Sequence, residues 1–193
     1  MLPIILGSQS PWRKALLAEA GYDFAVMSPN IDEEQFIDSD PAALVLTIAK
    51  AKAAAILQKL QHRALLITCD QVVCWREEIR GKPKNIEEAE RYLRSYGEAP
   101  AETYTAVVVT DSQTLVHRST VDWARVFFQP IPEQIIAQAI EEGHIFHCAG
   151  GFQVEGDRLF NDYILRIEGD LDSVKGLPVG VTQSLLNEMC LQT

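Results

Sequence analysis

The apolar positions of this chain fall into two rhythms. Residues 2–6 form an unbroken apolar run that Gly7 closes, which is the pattern of a buried strand. Just beyond it, Ser10 offers a side-chain cap and Pro11 a first helical position. A helix is therefore expected over residues 12–20, with Leu16, Leu17 and Ala20 on its apolar side and Gly21 as its stop. Strand, tight loop and helix start follow one another there, and loop amides at the positive end of a helix make a physically sensible anion site. Many α/β proteins open this way, so the feature alone decides little.

Asp40-Pro41 opens a second helix, rich in Ala and Leu, expected to reach residue 59. Residues 64–70 read as a buried strand with Asp70 at its C-terminal end, and residues 72–75 continue it or pair beside it. A short charged helix is expected over 87–94. Runs of β-branched and aromatic residues predict strands over 104–110 and 121–128. Residues 132–142 read as a helix ending at Gly143, residues 152–155 and 163–168 as strands, and residues 181–189 as a closing helix. Helices and strands alternate in the first half and strands crowd together in the middle. That order predicts an α/β fold with a mixed twisted sheet, in one domain over residues 1–193, with no internal repeat or linker.

Composition narrows the classes. Apolar residues make up 47% and charged residues 23% of the 193, which is ordinary for a soluble globular protein. No run of eighteen consecutive apolar residues occurs, so no membrane span is expected, and the short N-terminal run reads as a first strand, not a leader. Four cysteines at irregular spacing imply no disulfide framework, which points to a reducing, cytoplasmic setting. The formal net charge of −10 repels nucleic-acid backbone, so polymer binding is disfavoured and any anionic substrate needs a local cluster of cations.

Arg13, Lys14, Asp32, Glu33, Lys52, Asp70 and Lys82 are the ionisable residues near predicted turns and strand ends. Cleaving a nucleotide anhydride needs cations on the phosphates, acidic oxygens for a divalent metal, and a carboxylate for water. This set contains all three types, although spacing does not show that they converge, and a single charged residue is most often a solvated one. Gly81-Lys82 lacks the flanking residues of a P-loop. His144, His147 and Cys148 have a short chelating spacing but no second ligand pair. Cys69, beside Asp70, sits in an apolar strand and reads as a buried, inert thiol.

Ser8-Gln9-Ser10-Pro11-Trp12-Arg13 followed by Leu16-Leu17 resembles the opening signature of the Maf family of nucleotide pyrophosphatases. The similarity continues in order through Asp32-Glu33, Ala49, Lys52-Ala53, Asp70-Gln71-Val72-Val73, Gly81-Lys82-Pro83 and Thr105. Cys148-Ala149-Gly150, Glu155-Gly156, Gly169-Asp170 and Gly176-Leu177-Pro178 complete it. The resemblance implies a Maf-like (inosine-triphosphatase-like) α/β fold: an elongated mixed sheet flanked by helices, a cleft between two lobes, and commonly a homodimer. It implies hydrolysis of a nucleoside triphosphate to the monophosphate and pyrophosphate, with Mg²⁺ or Mn²⁺ as cofactor. By position, Asp70 would accept the proton of the attacking water, and Glu33 and Asp70 would hold the metal. Lys82 would serve catalysis, and Ser8, Arg13, Lys52 and Lys82 would hold the triphosphate.

At the base-selecting positions, Trp12, Gln71 and Glu155 resemble the 7-methyl-GTP branch, where the dTTP/UTP branch has arginine, threonine and glutamine. Methylation at N7 makes guanine cationic, and a cation on an indole face gains about 0.5–2 kcal/mol. A carboxylate such as Glu155 can accept from the guanine N1–H and amine in a charge-assisted pair. The alternatives are the same chemistry on GTP, UTP or dTTP, or a nucleotide-binding regulator of cell division with little catalysis. Two departures stand out: Lys14 replaces an arginine, and the stretch 94–100 places Tyr96 inside the family's Ser-Gly turn, so that loop is expected to be reshaped.

Overall fold

A computed structural model describes residues 2–154 and 158–191 of the protein. The N-terminal apolar run becomes β1 (Ile4–Leu6), buried at every position. It pairs in parallel with β2 (Phe24–Val26) on one side and with β3 (Leu65–Trp75) on the other. β3 also carries the antiparallel β4 (Glu78–Arg80). With β5 (Ala101–Asp111), β6 (His117–Phe128) and β7 (Ile164–Glu168) they form a seven-stranded sheet, ordered β2-β1-β3-β5-β6-β7 with β4 against β3. β6 and β7 run antiparallel, with a register shift at Phe127/Phe128. The sheet is therefore mixed, as the alternation of elements predicts.

Helices begin where the sequence provides caps. In α1 (Pro11–Glu19), the Ser10 hydroxyl accepts from the Arg13 amide at 3.4 Å, and Gly21 follows the helix in the left-handed region. α2 (Pro41–Leu57) is capped by Asp40, which accepts from the Ala42 amide at 2.9 Å. α3 (Ile86–Ser95) is capped by Asn85, with Glu87 and Glu88 in its first turn and Arg94 in its last, matching the helix dipole. α4 (Glu133–Glu142), α5 (Arg158–Asn161), α6 (Leu171–Val174) and α7 (Val179–Cys190) complete the set, with short 3-10 turns at Glu33–Gln35, His144–His147 and Ala149–Gly151.

The chain divides into two compact units. One is drawn from the described residues of Met1–Asp70, Thr105–Asp122 and Gly176–Thr193, the other from those of Gln71–Tyr104 and Trp123–Lys175. In the first unit the two-residue period of a strand sorts side chains onto two faces. Leu6, Ile67 and Cys69 join Leu17 of α1 and Leu186 of α7, while Ile5 and Leu66 face Ala53 and Ile56 of α2. Because both faces are covered, β1 and β3 read as continuous apolar runs in the sequence. The second unit has its own core, in which Tyr96, Phe128 and Phe152 form a ring cluster with centroids 5.2–5.6 Å apart.

Three expectations change. Residues 152–154 form no strand: Gly150 and Gly151 hold positive φ just before them, and Phe152 and Val154 are buried in the core without strand pairing. The remaining residue of that expected strand lies outside the described residues. Of the two readings of residues 72–75, continuation holds: β3 runs through Trp75, so Asp70 lies within the strand and not at its end. The stretch 94–100 is no open loop at Tyr96, which ends α3 and is buried.

Candidate active site

Asp70 is the focus of the first unit. It lies on β3, is only 5% exposed, and faces Lys52 of α2, a lysine as buried as its apolar helix neighbours. The Lys52 ammonium donates to Asp70 Oδ1 at 2.6 Å and to the Cys69 carbonyl at 3.4 Å, and it pairs with Glu33 Oε1 at 2.7 Å. Glu33 begins a 3-10 turn whose cap is Asp32, accepting from the Glu34 amide at 3.1 Å. Two carboxylates thus converge on one ammonium. Burial pushes the Asp70 carboxyl above the usual carboxylate range; Lys52 and Arg13 pull it back, and Glu33 adds to the rise. A carboxylate of raised basicity beside fixed cations is suited to taking a proton.

Arg13 leaves α1 toward the same strand. Its Nε donates to the Gly176 carbonyl at 2.8 Å and its Nη1 to the Cys69 carbonyl at 3.1 Å. The Cys69 carbonyl is therefore shared by both cations, a contact that no side-chain pattern in the sequence announces. The Cys69 thiol itself is fully buried and pushed up to about 11 by burial, so it is inert, as expected. The β1–α1 loop needs Gly7: a Cβ there would stand 2.6 Å from Thr68 Cγ2 and 2.7 Å from Ile56 Cδ1. Ser8 is buried in that loop, and its hydroxyl accepts from the Ser10 amide at 3.2 Å. Trp12 and Lys14 are partly exposed on the first turn of α1.

The remaining expected site residues belong to the second unit or lie outside the described residues. Lys82 is exposed on the turn after β4, followed by the buried Pro83. Gln71 follows Asp70 on β3, and its Nε2 donates to the carbonyls of Ser173 at 2.8 Å and Val174 at 3.1 Å. Glu155 lies outside the described residues. Of the residues named from the sequence, Arg13, Glu33, Lys52 and Asp70 are brought into one hydrogen-bonded cluster. His144, His147 and Cys148 build no metal site: the Cys148 thiol donates to the His144 carbonyl at 3.6 Å, and among the described residues no group of three or more His, Cys, Asp or Glu could hold a metal.

A sequence model of a family described as Maf-like protein matches residues 3–189. The chain belongs to the Maf-like family. Its seven-stranded mixed sheet with flanking helices is the Maf-like architecture expected from the sequence. A relative named 7-methyl-GTP pyrophosphatase, from Dictyostelium discoideum, is 38% identical, with 97% of each chain covered. Another, named nucleoside triphosphate pyrophosphatase, from Synechococcus sp. (strain JA-2-3B'a(2-13)), is 34% identical over 97% of this chain and 94% of its own. A dTTP/UTP pyrophosphatase from Vibrio parahaemolyticus serotype O3:K6 (strain RIMD 2210633) is 33% identical, with 97% of each chain covered. The Maf-like match spans every site residue named above, Glu155 included. No helix among the described residues is long and apolar enough to cross a membrane.

Proposed function

We propose that this Maf-like protein hydrolyses the α–β phosphoanhydride of a nucleoside triphosphate, 7-methyl-GTP in particular, giving the monophosphate and pyrophosphate. The observation that carries the reading is the buried Asp70–Lys52 pair, joined by the exposed Glu33, beside Arg13. Asp70 accepts a proton from water as the water oxygen attacks phosphorus, and pyrophosphate leaves with the electron pair of the broken P–O bond. Its position above the usual carboxylate range suits that task. Lys52 and Arg13, with the amides at the start of α1, supply the local positive charge that a protein of net charge −10 needs for a triphosphate, and Ser8 offers a hydroxyl beside them. Lys82 is assigned to the triphosphate by its place in the family motif.

A divalent cation fits this site. Glu33 and Asp70 are hard oxygen donors that both reach the Lys52 ammonium, and they are the residues that would hold the ion. Two carboxylates are what Mg²⁺ or Mn²⁺ takes from a protein when substrate phosphates and water supply the other positions. When bound, the ion neutralises charge developing on the phosphates.

The base preference rests on Trp12 and Glu155, and on similarity to the relative named 7-methyl-GTP pyrophosphatase. The Trp12 face would stack on the cationic methylated ring. Gln71 is the third base-selecting position, and its amide nitrogen is anchored on the last two carbonyls of α6, those of Ser173 and Val174. The same chemistry on dTTP or UTP is the second reading, favoured by the dTTP/UTP relative. We take the protein to act as a cytoplasmic homodimer without a nucleic-acid polymer as partner. A panel of 7-methyl-GTP, GTP, UTP and dTTP with Mg²⁺, read as pyrophosphate release, tests the proposal. Fastest turnover of 7-methyl-GTP supports it, and faster turnover of dTTP or UTP overturns the base assignment. Tight nucleotide binding with no release for any base would instead favour the regulatory alternative.

A further inference from the structure

Lys82 is exposed, yet the turn that carries it is pinned from below. The Gly81 carbonyl accepts from the Gly150 amide at 2.9 Å. Pro83, on the other side of Lys82, rests where Gly151 has no side chain, since a Cβ at 151 would stand 2.9 Å from Pro83 Cγ. Residues 150–151 are thus the template on which residues 81–83 lie. Both glycines hold φ of +71°, a conformation that glycine adopts freely and that other residues would strain.

Tyr96 ties this pair to the core of the second unit. Its hydroxyl donates to the Gly150 carbonyl at 2.7 Å, close enough that a Cβ on Gly150 would come within 2.8 Å of the oxygen. The ring is 1% exposed, stacked 5.6 Å from Phe128 and edge-on at 5.3 Å from Phe152, with the Arg80 guanidinium 5.2 Å from its centroid. Burial drives its phenol well above the usual tyrosine range, so the hydroxyl stays a donor at any working pH. A phenylalanine would fill the same apolar cage. The hydroxyl adds the bond to Gly150 and a hydrogen-bonding contact with the Arg80 guanidinium.

We propose that Tyr96 is a positioning residue for Lys82, acting through the relay from its hydroxyl to Gly150 and from Gly150 to Gly81. The residue that interrupts the expected Ser-Gly turn thereby sets the geometry of a triphosphate ligand. The inference rests on the reading of Lys82 as that ligand.

The test compares the native protein with Tyr96→Phe, Lys82→Met and the double variant. Dissociation constants for the α,β-methylene analogue of 7-methyl-GTP are measured by calorimetry, KM and kcat by pyrophosphate release, and unfolding midpoints by heating. Loss of one hydrogen bond should weaken analogue binding and raise KM about five- to tenfold in the Lys82 background. In the Lys82→Met background Tyr96→Phe should cost nothing further in binding, while its effect on the unfolding midpoint persists in both. An equal binding loss in both backgrounds, or none in either, overturns the proposal. If Lys82→Met alone leaves binding and turnover unchanged, the triphosphate role of Lys82 is what has failed, and the positioning role falls with it.

Discussion

Lys52→Met removes one ammonium and keeps most of the apolar length of the side chain. In the native protein the Lys52 and Asp70 side chains are only 6% and 7% exposed and 2.6 Å apart. Removing one partner of such a pair strands a buried charge, which costs about 3–5 kcal/mol. The lost contact to Glu33 adds little, because that carboxylate is 44% exposed and exposed pairs contribute at most ~1 kcal/mol. Asp70 can also escape by taking a proton, which caps the loss. We therefore expect about 3 kcal/mol near neutral pH, a large share of a total stability of about 5–15 kcal/mol. The direction with pH follows from the raised Asp70 carboxyl. Lys52 is the strongest influence pulling it down, so the variant's carboxyl rises further. Stability linked to a raised folded pKa is complete below the unfolded value and is lost as pH rises through the folded one. The deficit of Lys52→Met should be under about 1 kcal/mol in acid and grow toward alkaline pH. Urea unfolding in metal-free buffer between about pH 5 and about pH 8 measures it, with unchanged slopes confirming two-state behaviour. A neutral-pH loss below about 1 kcal/mol, or a deficit that grows in acid, would refute the buried-pair account.

Other outcomes follow from the same geometry. Trp12→Ala should reduce the preference for 7-methyl-GTP over GTP about tenfold in kcat/KM, as expected of a lost cation–π contact; an unchanged ratio removes Trp12 from base selection. Gly150→Ala should destabilise the protein by at least ~2 kcal/mol through backbone strain and collision with Val73 and Tyr96. A denaturation midpoint equal to the native value would show that residues 150–151 are no rigid template. The Cys69 thiol, pushed up to about 11 by burial, should not react with a disulfide reagent at neutral pH until the protein unfolds, while the exposed Cys190 reacts at once. Rapid labelling of Cys69 in the native state would contradict the burial of its strand.

What the sequence made legible was mostly local. Ser10-Pro11 and Asp40-Pro41 announce helix starts because caps act within three residues of themselves. The apolar runs at residues 2–6 and 64–70 announce buried strands because both sheet faces are covered there. Long-range relations were less visible. Nothing near Lys52 tells that a lysine in an Ala-rich helix is buried against Asp70, and the Cys69 carbonyl that serves both Lys52 and Arg13 carries no residue signal. Phe152 and Val154 look like a strand because an alternating apolar pair cannot be told from two core pegs after a glycine turn. Tyr96 reads as a loop insertion, whereas its ring belongs to the core of the second unit and its hydroxyl reaches the Gly150 carbonyl. Family motifs conveyed by resemblance what spacing could not: that Arg13, Glu33, Lys52 and Asp70 come together.

Asp70→Asn, tested for pyrophosphate release from 7-methyl-GTP with Mg²⁺, addresses the central claim most directly. The amide keeps the size of the side chain and removes its capacity to accept a proton. The rate should fall at least about 100-fold while binding of the α,β-methylene analogue persists. Turnover equal to that of the native protein would contradict Asp70 as the proton acceptor and, with it, the chemistry assigned to the cluster.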